Sequence, residues 1–108
     1  MLWAIITVER EMLHRWTQAP EPVKFLCFPH RHVFKIKAWI GQEHSERDIE
    51  YIMAKRDLQE YVNARVFPEE ISCEYIAREI HSYLAKKYDR LIKVEVMEDG
   101  ENGCIFEA

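Results

Sequence analysis

Apolar positions recur at every second residue near both ends of the chain and at helical spacing in its middle. "LWAIITVERE" is β-rich, with Trp3, Ile5 and Thr7 on one face and Ala4, Ile6 and Val8 on the other. "TQAPEPVK" carries two prolines and reads as the loop that closes a long hairpin. The next strand, roughly His32 to Ile40, places His32, Phe34, Ile36, Ala38 and Ile40 on one face. Val33, Lys35, Lys37 and Trp39 share the other.

Beyond the polar connector "GQEHSERD", Met53, Leu58, Tyr61 and Val62 predict a helix from about Glu50 to Ala64. Pro68 breaks it. Ser72 is then placed to N-cap a second helix, with Tyr75, Ile76, Ile80, Tyr83 and Leu84 as its buried stripe. "RLIKVEVME" and "GCIFEA" flank the turn-rich "DGENG" and read as a closing hairpin. The predicted order is ββααββ, an α+β class in which one four-stranded antiparallel sheet carries both helices on one face. Residues 1–108 are read as one domain.

Composition narrows the picture. The 19 acidic against 15 basic residues argue against a nucleic-acid backbone as partner, since such binding leans on excess Lys and Arg. "AKRD" and "AKKYDR" read as solvated helix faces. Three widely spaced cysteines do not suit a disulfide framework and imply a reducing compartment. The apolar run "LWAIITV", seven residues, is too short for a membrane span, so the expectation is a cytoplasmic protein without a membrane partner.

Candidate chemistry centres on "CFPHRHVFKIKAWI". His30 and His32 lie two apart on a strand, so their imidazoles project to the same side and can share one ion. A third ligand is needed. If the first two strands pair as a hairpin, His14 in "EMLHRWTQ" reaches the same end. Three neutral imidazoles suit zinc, iron or nickel alike and leave a coordination position for water or substrate. His44 and His81 read as surface residues. In "LIKVEVME", Ile92, Val94, Val96 and Glu98 share a face, which sets a carboxylate at the end of an apolar stripe. Such a group is costly without partners. It either meets water in the turn or accepts hydrogen bonds from a ligand with adjacent N–H donors.

The chain resembles the 6-pyruvoyl-tetrahydropterin synthase family, which includes the bacterial 6-carboxy-tetrahydropterin synthases. There a histidine ends the first strand and a His-x-His pair opens the second, as His14 and "HRHVFKIKAWI" do here. "EYIMAK", "SCEYIAREI" and "VEVMEDGENGCIF" are similar to the family's two helix starts and its closing hairpin, in the same order. The resemblance implies a tunnelling fold, whose subunits pair their sheets into a barrel. It implies a homo-oligomer, a hexamer among the possible sizes, with sites between subunits. It also implies zinc on His14, His30 and His32, with a pterin ring anchored by Glu98 and further contacts from Ser72 and Cys73. Cys27 would move a proton, and the activity would be that of a synthase or lyase.

Two features depart from the family. Cys27 stands only three residues before His30, with Pro29 between, and amid apolar neighbours it also reads as a core side chain. The Asp-His dyad of the family has no counterpart, because "YVNARVFPEEISCEY" contains no histidine. Two readings therefore stand side by side: a zinc-dependent enzyme acting on a pterin or purine-derived ring, or a non-catalytic metal-binding or assembly module. In the second, Trp16 and Trp39 would be interface anchors.

Overall fold

The period-two segments become strands and the 3.6-period segments become helices. The computed structural model describes residues 1–108. It runs β1 (Trp3–His14), a 3-10 segment (Glu21–Cys27), β2 (His30–Gly41), α1 (Tyr51–Ala64), α2 (Cys73–Tyr88), β3 (Ile92–Glu98) and β4 (Asn102–Glu107). The strands form one antiparallel sheet in the order β1-β2-β3-β4. The class is α+β, with the 3-10 segment interrupting the expected ββααββ order. Its cause lies in the prolines of "TQAPEPVK": Pro20 caps the segment and Pro22 sits in its first turn, where a fixed φ and a missing N–H cost nothing.

Both helices cover one face of the sheet. Ala4, Ile6 and Val8 of β1, Phe34, Ile36, Ala38 and Ile40 of β2, and Ile92, Val94 and Val96 of β3 all point into that layer and are buried. α1 meets them with Ala54, Leu58 and Val62, and α2 with Ile76, Ala77, Ile80 and Leu84. The expected stripe of α1 needs one correction, since Met53 is 69% exposed. The helix begins at Tyr51, and the i, i+4, i+8 row that faces the sheet then starts at Ala54, which turns Met53 outward. On α2 the apolar row is as expected, flanked by half-buried Tyr75 and Tyr83. Ser72 caps α2 by accepting the Tyr75 N–H at 3.1 Å.

The opposite face of the sheet is open. Trp39 lies there half-buried, with Lys93 Nζ 4.9 Å and Lys37 Nζ 5.6 Å from its ring centre. At the outer edge of β1, Gln59 of α1 accepts the Glu9 N–H at 3.3 Å and donates to the Glu9 carbonyl at 3.0 Å. No helix is long and apolar enough to cross a membrane.

Candidate metal centre and adjoining cleft

The register of the β1–β2 hairpin sets His14 directly opposite His30, and His32 opposite Met12. His14, His30 and His32 all continue the inward face that carries Phe34, Ile36, Ala38 and Ile40 deeper in the sheet. On β3 the same face ends at Glu98, which pairs with Phe34. Four inward-facing stripe positions thus become polar at one end of the sheet.

One ligating atom from each of the three histidines lies within 4.8 Å of the others, so the cluster can hold a metal ion. Each ring is also fixed through its other nitrogen. His14 Nδ1 donates to the Ile71 carbonyl at 2.7 Å, His30 Nδ1 to the Phe28 carbonyl at 2.8 Å, and His32 Nδ1 to Asp99 Oδ2 at 2.6 Å. A carbonyl or an ionised carboxylate can only accept, so the Nδ1 proton is specified on all three rings. That leaves three Nε2 lone pairs for the shared side, the arrangement expected around a metal.

His14 is 7% exposed and its Nε2 has no hydrogen-bond partner. A buried, unpartnered nitrogen is costly unless a ligand completes it. Phe34 stands edge-on to His14 and His32, with ring centres 5.2 and 6.1 Å apart, and wedges both imidazoles in place.

The outer supports come from loops the periodicity did not mark. Asp99 takes a left-handed φ of 56° and Gly100 one of 73° in the β3–β4 turn. The Asp99 side chain folds back over β2: Oδ1 accepts the Val33 N–H at 2.9 Å while Oδ2 holds His32. These bonds, His32 first and the Val33 N–H second, keep the Asp99 carboxyl below its ordinary range. The α1–α2 connector is tied to the hairpin end as well. Arg15 N–H donates to the Glu69 carbonyl at 3.1 Å, and Thr17 donates to Glu70 Oε1 through both its hydroxyl and its N–H. Asp99, Ile71 and Phe28 went unseen in the sequence. The "DG" turn was its only trace, and it announced a bend rather than a ligand support.

A cleft of about 390 Å³ opens beside the histidines, within the roughly 300–1,000 Å³ range of small-molecule sites. His14, His30, Glu98, Ser72 and Cys73 all line it, together with Arg15. Two of the three predicted ligands and all three predicted ring contacts thus line one cleft; His32 belongs to the histidine cluster but not to the cleft wall. The Ser72 hydroxyl already serves as the α2 cap. Burial, followed by the charge of Glu98, pushes the Cys73 thiol up to about 12, so it stays protonated at neutral pH. Cys27 closes the 3-10 segment half-buried; its neighbour Leu26 lines the cleft and Cys27 does not.

The remaining histidines lie elsewhere. His44 is largely exposed and pairs with Asp48 at 2.8 Å, and His81 stands edge-on to Phe106. A wider depression of about 600 Å³, lined by Glu9, Lys35, Lys37, Lys55 and Glu95 among others, has no histidine in its wall.

No protein-family model matches the chain, and no curated protein matches it.

Proposed function

We propose that the chain is a metal-dependent protein of the tunnelling-fold kind, with zinc on His14, His30 and His32. Its cleft would receive a pterin or related purine-derived ring, and its activity would be that of a synthase or lyase. The observation that carries this reading is the convergence of three Nδ1-anchored imidazoles, one of them buried and unpartnered at Nε2, beside a ligand-sized cleft whose wall includes His14 and His30. A bound divalent cation would supply Lewis acidity, polarising a carbonyl or hydroxyl oxygen of the ligand.

The chain's own residues supply the rest. Glu98 presents a carboxylate that can accept paired N–H donors of a ring. Arg15 adds a cation to the same wall. Cys27, next to the lining Leu26, is the thiol this reading would use for proton transfer. A homo-oligomer is proposed with it, a hexamer among its sizes, and is supported by the two edges of the sheet that no further strand pairs, at β4 and at β1 outside Glu9.

The test is elemental analysis of protein purified without added metal, for wild type and for His30→Ala/His32→Ala. About one zinc per chain, lost in the variant, supports the reading and leads to calorimetric titration with a reduced pterin and to Cys27→Ala. A folded wild type that takes up no divalent metal ends it.

A further inference from the structure

The polar groups at the hairpin end do not balance. With each Nδ1 donating to an oxygen, the three Nε2 atoms are the ring nitrogens left to present lone pairs to one another. Glu98 Oε2, also only an acceptor when ionised, lies 3.3 Å from His14 Nε2 and 3.9 Å from His32 Nε2. Lone pairs set this close repel one another unless a positive centre lies among them.

At 3.3 Å, His14 Nε2 makes no hydrogen bond to that carboxylate. Ligands of one ion sit side by side in this way. With bonds of about 2.0–2.1 Å, neighbouring ligand atoms of a tetrahedral ion are about 3.3 Å apart.

We propose that Glu98 is a ligand of the metal itself, so that the resting centre is three imidazoles and one carboxylate. This rests on the metal reading above and changes the role of Glu98 within it. The carboxylate holds the fourth position when the cleft is empty, and an incoming ring or its side chain must displace it or share it. Because Glu98 also lines the cleft, its second oxygen remains free to meet the ligand. The negative charge favours a hard or borderline divalent cation such as zinc, iron or manganese over soft monovalent copper.

The experiment compares wild type, Glu98→Gln and His30→Ala/His32→Ala for zinc affinity, by competition with a chromophoric chelator. It also records cobalt(II) absorption spectra without any organic ligand. The proposal expects Glu98→Gln to weaken zinc binding by about 10- to 100-fold, at least the effect of losing an outer support, and to change the cobalt spectrum. If wild type binds zinc and Glu98→Gln matches it in affinity and spectrum, Glu98 is not a ligand and the three-histidine centre stands alone. If wild type binds neither metal, the metal reading falls and this inference with it. Should Glu98→Gln fail to fold, a crystal structure of zinc-loaded wild type decides. Glu98 oxygen at about 2.0–2.2 Å from zinc sustains the assignment, and a carboxylate turned away overturns it.

Discussion

Two polar clusters sit at opposite ends of β2 and are built on opposite terms. Beyond Gly41, Asp48 accepts from Arg90 and the Glu43 N–H, His44 Nε2 lies 2.8 Å from its Oδ1, and Arg90 Nε lies 2.7 Å from Glu43 Oε1. Each carboxylate there has the Arg90 cation beside it, and Asp48 has two donors. Before Phe34, His14, His30, His32 and Glu98 bring acceptors together with no donor between them. Both clusters contain histidine and carboxylate, so residue type does not separate them. The company of the acceptors does: the first cluster has a cation of its own and closes a loop onto the sheet, and the second could hold a metal ion.

This contrast can be broken in several places. The largest effect is expected at Phe34, fully buried and wedged under the unmatched cluster. Phe34→Ala should cost about 3–5 kcal/mol in urea denaturation, and a loss below about 1 kcal/mol would deny that the histidines rest on a rigid floor. Next comes zinc itself. At free zinc about 100-fold above its dissociation constant, the folded state should gain about 2.7 kcal/mol, read as a rise in thermal midpoint. Asp48→Asn should keep that rise and His30→Ala/His32→Ala should lose it; equal rises in both would mean that the two ends do not differ as argued.

A smaller effect separates capping from binding. Ser72→Ala should cost about 1 kcal/mol through loss of the α2 cap and leave zinc affinity unchanged. The smallest expected effect is a slope. The Glu43 N–H, and then Arg90, hold the Asp48 carboxyl below its ordinary 3.8. Its folded-state value being lowered, its contribution is present above 3.8 and disappears as pH falls through the lowered value. Asp48→Asn should therefore flatten the acid side of the pH–stability curve below 3.8 and not the neutral side. An unchanged acid limb would count against the matched cluster.

Much of the scaffold was readable because it follows period. Alternation in "LWAIITV" and "HVFKIKAWI" placed the inward face correctly, and the hairpin brought His14, His30 and His32 to one end; that Glu98 shares that end comes from the β2–β3 register, which alternation does not specify. Ser72 announced its cap by type and position. What lay outside periodicity was not readable. The 3-10 segment depends on where two prolines fall in a loop, and Met53 faces out because it lies five residues before Leu58 and nine before Val62, out of phase with the buried Ala54–Leu58–Val62 row. Asp99 is the clearest case, since its role depends on a left-handed turn that aims its carboxylate back at a strand 67 residues earlier. Local pattern carries no information about such a return.

The Gln59 contact with β1 has a consequence for assembly. Its amide reproduces, at the single residue Glu9, the donor and acceptor pair that a fifth strand would offer. A neighbouring sheet that docks along β1 meets a filled slot in the middle of a 12-residue edge. It must dislodge the glutamine or align entirely to one side of it, so a helix side chain acts as a ruler for how far two sheets may slide along each other.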